Sequence, residues 1–126
     1  DGITISKEQF KYINNNKLNQ DNFSIQLKDY RDIKNKYEKV VSIEMFEAVG
    51  KKYWDIYFKK LNSILKTNGE ACLQIITIDE KYFAKYMVNV DFIQNKKILK
   101  NLFKKNNIKI KKEIKFRKDY SKTLKH

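Results

Sequence analysis

The sequence predicts an α/β domain in which short parallel strands are joined by helical crossovers. Three observations carry that expectation. Apolar runs of strand length alternate with amphipathic stretches along the chain, as repeated βαβ connections require. The run "ACLQIITI" (71–78) is the most apolar of them and reads as a central strand. Directly before it, Trp54, Tyr57, Phe58, Leu61, Ile64 and Leu65 form one stripe at helical spacing, a crossover helix with a single face to bury.

Each element follows in order. "GITI" (2–5) is a short strand running into "SKEQFKYINNN", where Ser6 and Gln9 have capping-box spacing and Phe10 and Ile13 mark one helical face. "FSIQL" (23–27) alternates as a strand does, and "YEKVVSI" (37–43) ends in a buried run. The helix carrying the aromatic stripe starts near Lys51, with Tyr53, Trp54, Tyr57 and Phe58 at core spacing. "TNG" (67–69) is its stop, with Gly69 free to adopt a positive φ. Beyond 71–78, two helical patterns follow: Tyr82, Phe83, Tyr86, Met87 and Val90, then Ile98, Leu99, Leu102 and Phe103. "IKIKKEIKF" (108–116) alternates as a partly exposed strand. The chain contains no proline, repeat or low-complexity linker.

At 126 residues, 41% of them hydrophobic and 13% aromatic, the chain forms one packed domain over 1–126 rather than a disordered tail. No apolar run approaches the roughly 18–20 residues of a membrane-spanning helix. Cys72 is the sole cysteine, so no disulfide forms within the chain, and a reducing cytoplasm is the expected setting. Mid-strand, with no neighbouring histidine to activate it, Cys72 reads as inert. One His and one Cys provide no metal-ligand spacing.

The formal net charge of +13 invites a nucleic-acid reading, but Arg31 and Arg117 are the only arginines. Arginine is the residue suited to bidentate phosphate and base contacts. Lysine accompanied by abundant Asn and Ile fits a solvated surface better, or attraction to anionic lipid headgroups. A basic nucleic-acid-binding domain remains the reading from another functional class, and steep salt dependence of duplex binding would favour it.

Ligands of open α/β sheets bind beyond the carboxyl ends of the strands. Glu44 and Glu47 follow strand 37–43, "DYRD" (29–32) follows strand 23–27, and "TIS" (4–6) follows strand 2–5. These groups can serve a ligand on one edge, or can cap the next helix and face water.

Taken together, "GITISKEQ", "LKDYRDI", "VVSIEMFEAVGKKYWDIYFKKL", "LQIITID", "DFIQ" and "DYSKTL" resemble the cyclopropane-fatty-acyl-phospholipid synthase family, in order from Gly2 to His126. "SIEMFEAVG" followed by "YW" and "YF" is the most specific part. The resemblance implies an S-adenosylmethionine-dependent methyltransferase with a Rossmann-like sheet. It implies methyl transfer to a cis double bond of a membrane phospholipid acyl chain, proton loss and ring closure, with bicarbonate as the base. On this match Glu47, Gln74, Ile76 and Tyr120 surround the bicarbonate, Ile76 through its backbone, while Glu44 supports the strand-end loop. Thr4, Ile5, Ser6 and Gln9 would lie along the adenosine and ribose, and Asp29, Tyr30 and Arg31 around the adenine. The implied enzyme works peripherally at the inner membrane face, on anionic lipid surfaces.

The sequence also departs from the family pattern. It starts at the family's second strand, without the first strand and its glycine-rich cofactor loop, and stops before the last strand. Gln74 stands where many members have histidine; an amide can donate a hydrogen bond but carries no charge. Asn95 leads directly into Lys96 and Lys97 in place of a proline- and glycine-containing loop, and Arg117 replaces a customary glycine. The expectation is therefore a partial sheet with its first and last strands missing. Its order is 23–27, 2–5, a vacancy, 37–43 and 71–78. Such a chain either belongs to a longer enzyme, works with a complementary chain, or is a non-catalytic remnant left by gene decay. Weak S-adenosylmethionine binding by the 126 residues alone follows from the missing glycine-rich contacts.

Overall fold

A computed structural model of the chain describes residues 1–16, 22–77 and 96–115. Strand and helix alternate as β1 (Gly2–Thr4), α1 (Lys7–Asn15), β2 (Ile25–Leu27), β3 (Tyr37–Ile43), α2 (Trp54–Ile64), β4 (Leu65–Gln74) and α3 (Lys96–Lys105). Single 3-10 turns lie at Tyr30–Asp32, Phe46–Val49 and Lys51–Tyr53.

Both strand pairs are parallel, which establishes the α/β class. β1 pairs with β2 in the register Gly2↔Ile25, Ile3↔Gln26 and Thr4↔Leu27. β3 pairs with β4 from Lys39↔Glu70 to Ile43↔Gln74. Among the described residues no ladder joins β1 to β3, so the pairs form two separate sheets. The pairing is the expected one. The starts of β1 and β3 adjoin, with Tyr37 Oη donating to Asp1 Oδ2 at 3.4 Å.

The aromatic stripe of α2 makes the core. Trp54, Tyr57, Phe58, Leu61 and Leu99 are buried around Phe46, which is 0% exposed. Val40, Ala71 and Leu73 pack onto this cluster from one face of the β3–β4 sheet. Alternation then dictates that Val41 and Ile43 lie on the opposite face, where they are 66% and 62% exposed. Cys72, the register partner of Val41, is exposed there too.

α3 closes the other side of α2, with Phe103 meeting Phe58 edge-on at 4.8 Å. It ends in a Schellman motif: Ile108 N–H donates to Phe103 O at 2.9 Å, and Asn107 N–H to Lys104 O at 3.2 Å. Asn107 takes the left-handed conformation this requires (φ 56). The buried Asn106 amide bonds Asp55 Oδ1 at 3.2 Å and Leu102 O at 3.0 Å.

Asp55 thereby ties α2 to the end of α3, since Lys105 also reaches it at 3.2 Å, while Lys59 of α2 itself reaches it at 2.9 Å. The Lys59 contact first, then Asn106, holds its carboxyl at about 2, below the usual 3.8. A depressed carboxylate contributes stability that is complete above its unfolded value and lost as pH falls through the folded one. Acid should therefore lower the melting temperature progressively from about pH 4 to about pH 2. Asp55→Asn should shrink that fall; an identical acid profile in the variant would overturn the assignment.

Four expectations require correction. The run that ends strand 37–43 is not buried, since Val41 and Ile43 lie on the exposed face of the sheet. The helix stop at 67–69 does not use Gly69: α2 ends at Ile64, and the left-handed residue is Asn68 (φ 64). Gly69 serves close approach instead, because a Cβ there would meet Lys66 O at 2.9 Å and Tyr37 O at 3.0 Å. The strand at 108–116 is absent over the described residues 108–115. That segment is held by side-chain ion pairs, Lys111 with Glu70 and Glu113 with Lys96, and makes no ladder with any described strand. Tyr53 is only half-buried, outside the core that holds Trp54, Tyr57 and Phe58. The described part of β4 pairs with β3 alone, and the helical pattern at 82–90 lies outside the described residues.

Candidate functional site

The carboxyl ends of β3 and β4 bring four polar groups together. The Ile43↔Gln74 register places Glu44 one residue past the ladder, where its N–H donates to Gln74 O at 3.0 Å. Glu44 turns the chain in the left-handed region (φ 50), which costs a residue bearing a Cβ on the order of 1–2 kcal/mol. Its Oε1 accepts from Gln74 Nε2 at 2.9 Å. Phe46 then inserts into the core, its ring 5.5 Å from Trp54, 5.0 Å from Tyr57 and 5.1 Å from Phe58. Anchored by that ring, the 3-10 turn Phe46–Val49 aims Glu47 back across the strand end.

Glu47 Oε1 accepts the backbone N–H of Ile76. Its second oxygen, Oε2, is buried and has no hydrogen-bond partner among the described residues. A buried carboxylate oxygen without a donor is costly, and it fits a site that receives an O–H or N–H from a ligand. Ile76 does lend its backbone, but to Glu47, so its N–H acts by orienting that carboxylate. Tyr57 Oη braces the same end of β3, donating to Ser42 Oγ at 2.9 Å; burial pushes its phenol up. Tyr120 lies outside the described residues.

The ends of β1 and β2 form a second cluster. Lys28 N–H donates to Thr4 O at 2.9 Å, tying the two strand ends together. Ser6 caps α1 by accepting Gln9 N–H on Oγ at 3.2 Å, the first half of a capping box. The second half is replaced: Gln9 Oε1 accepts from Thr4 Oγ1 at 2.7 Å, and Ser6 N–H also donates to that hydroxyl at 3.1 Å. Ile5 between them is 77% exposed.

After β2, Asp29 caps the turn Tyr30–Asp32 by accepting Arg31 N–H at 2.9 Å. The Arg31 guanidinium also grips that carboxylate through two bonds of 2.9 and 2.6 Å, which holds the Asp29 carboxyl below its usual range. Arg31 lies over the Tyr30 and Tyr53 rings, 5.9 and 5.8 Å from their centroids. Tyr30 meets Tyr57 edge-on at 5.6 Å, so it joins the two clusters. Burial raises the Tyr30 phenol.

The sequence profile described as mycolic acid cyclopropane synthetase matches residues 1–126, the whole chain. The chain belongs to this family. Escherichia coli cyclopropane-fatty-acyl-phospholipid synthase is 40% identical to it over 100 residues, covering 79% of the chain and 25% of that enzyme. A tuberculostearic acid methyltransferase of Mycobacterium tuberculosis is 44% identical over 54 residues, 43% of the chain and 13% of the relative. The chain thus spans about a quarter, or less, of the length of these relatives.

Within this member of the family, the predicted residues that are described fall into two linked groups. Glu47, Gln74 and Ile76 converge at the ends of β3 and β4, and Thr4, Ser6, Gln9, Asp29, Tyr30 and Arg31 gather at the ends of β1 and β2. Sequence reasoning missed the bond between Glu44 and Gln74 and the packing of Tyr53 against Arg31. The strand register held a signal for the first, since aligned strand ends place residue 44 beside residue 74.

Proposed function

We propose that this chain is part of an S-adenosylmethionine-dependent methyltransferase. It acts on the cis double bond of unsaturated phospholipid acyl chains and carries a partial Rossmann-like sheet. The observation that carries the reading is the Glu47 carboxylate, held by Ile76 N–H on one oxygen and without a partner among the described residues on the other, at a strand end of a chain of this family. The E. coli relative's name specifies cyclopropane fatty acyl phospholipids.

S-adenosylmethionine would lie against Thr4, Ile5, Ser6 and Gln9, with Asp29, Tyr30 and Arg31 around its adenine; when bound it supplies an electrophilic methyl group. The exposed Ile5 side chain provides an apolar wall, and the hydroxyl–amide chain Thr4–Gln9 provides donors and acceptors for a ribose. Bicarbonate would be held beside Glu47, its single O–H donating to Glu47 Oε2, the acceptor without a partner among the described residues. Gln74 would contribute to that pocket, with Tyr120 assigned to it by the family resemblance alone, and a base held there would take up the proton released from the added methyl. Glu47 and Glu44 place negative charge near the acyl carbon that becomes positive during transfer, and the rings of Tyr57 and Phe46 line the strand end behind them. The lysine-rich surface attracts anionic headgroups, placing the enzyme at the cytoplasmic membrane face. Among the described residues no helix is long and apolar enough to cross a membrane.

The test is incubation with methyl-labelled S-adenosylmethionine and vesicles containing cis-unsaturated phospholipid. Label recovered in the fatty-acid fraction is the expected result. Saturable cofactor binding with no labelled lipid would overturn the substrate, and no cofactor binding in any natural form of the protein would overturn the reading as a methyltransferase.

A further inference from the structure

The carboxyl ends of all four described strands point the same way. Each pair is parallel, Asp1 meets Tyr37 where β1 and β3 start, and Tyr30, just past β2, meets Tyr57 beside the end of β3. The surface around this edge is both apolar and basic. Leu27 ends β2, Ile43 ends β3 and Ile56 lies in the first turn of α2; they are 45%, 62% and 46% exposed. Three exposed lysines stand among them. Lys7 opens α1 just past β1, and Lys51 and Lys52 lie in the turn that enters α2. None of the three shares an ion pair among the described residues. The opposite end of the β3–β4 sheet neutralises its lysines, Lys39 and Lys111 with Glu70 and Lys66 with Glu38.

Apolar side chains standing in water among unpaired lysines suit a bilayer with anionic headgroups. Its boundary takes up the apolar groups, and its phosphates attract the ammonium groups. A nucleic acid offers nothing to Leu27, Ile43 and Ile56, and a second copy of a chain of net charge +13 would bring like charge together. We propose that this edge is the surface by which the protein docks on an anionic lipid bilayer. The bilayer as partner rests on the reading of the protein as an enzyme of phospholipid acyl chains. The choice of edge rests on where these six residues lie. Docked this way, the ends of β3 and β4 that carry Glu47 lie against the membrane from which an acyl chain is drawn.

Flotation of the 126-residue chain with vesicles of phosphatidylglycerol and phosphatidylcholine tests the surface without turnover. Lys7→Gln, Lys51→Gln and Lys52→Gln together should weaken binding roughly a hundredfold, since each lysine held at an anionic surface is worth about fivefold. Lys97→Gln, Lys100→Gln and Lys104→Gln remove the same charge from the exposed side of α3. They should weaken binding by less than about threefold, because charges beyond a Debye length of about 10 Å are screened. Ile43→Ser with Ile56→Ser should lower the binding that survives high salt. Ile110→Ser with Ile114→Ser, at residues 43% and 59% exposed on another segment, should leave it unchanged. Equal losses from the two lysine sets would overturn the edge and reduce the attraction to net charge. Failure to bind anionic vesicles, or tighter binding to duplex DNA than to vesicles, would overturn the bilayer as partner. Binding that localises to this edge in a protein that transfers no label to lipid would overturn the proposed reaction and leave the docking surface standing.

Discussion

Glu47→Gln should lower turnover by roughly 100-fold or more, the range expected when a base-positioning group is lost. The substitution is nearly isosteric, and the new amide oxygen can still accept from Ile76 N–H, so the turn Phe46–Val49 should hold its place. What disappears is the negative charge and the second acceptor, Oε2, which is the oxygen without a partner among the described residues. Affinity for S-adenosylmethionine should barely change, because its proposed cradle is built from the ends of β1 and β2. Steady-state kinetics with labelled cofactor, paired with calorimetry, checks both halves. A variant with near-full turnover would return Glu47 to a purely architectural role.

Phe58→Ala should remove about 3–5 kcal/mol of folding stability. Phe58 is 0% exposed and touches Phe46, Tyr57 and Phe103 with ring centroids 5.1, 5.2 and 4.8 Å apart. It therefore joins the site-bearing turn, α2 and α3 in one contact. Domains of this size are commonly stable by only about 5–15 kcal/mol, so the loss is a large share of the total. Urea denaturation followed by tryptophan fluorescence reads it directly, since Trp54 belongs to the same cluster. A midpoint within error of the parent chain would show that this cluster does not hold the fold. The variant should also lose activity, because Phe46 can no longer aim Glu47.

Where the sequence was legible, a single physical constraint decided the structure. Strand Tyr37–Ile43 has the bounds expected from its pattern, and the helix Lys96–Lys105 covers the stripe Ile98, Leu99, Leu102 and Phe103. In both, one face must be buried against α2. The segment 108–115 alternates equally well but forms no strand, because alternation reports an apolar face and not the presence of a neighbouring ladder. The left-handed residue near 67–69 was misplaced for a related reason. Glycine permits positive φ but is also selected for close approach, and at Gly69 the second demand applies while Asn68 takes the turn. Glu44 was harder still, since nothing in its residue type announces a left-handed backbone. Its conformation follows from Gln74 on another strand, a partner 30 residues away.

The separation into two sheets also has a consequence for the order in which the chain organises itself. β1, α1 and β2 contain no buried residue, whereas the continuous segment from β3 through α2 holds nearly all of the core. Segments with few buried contacts open at a small fraction of the global unfolding free energy. The β3–α2–β4 crossover is thus a cooperative unit able to form early, with the β1–α1–β2 crossover docking onto it through Tyr30 and Asp1. The proposed cofactor cradle then belongs to the part of the molecule that unlatches first. Binding there would draw its free energy partly from sealing that docking, and the ligand would act as the latch between two folding units.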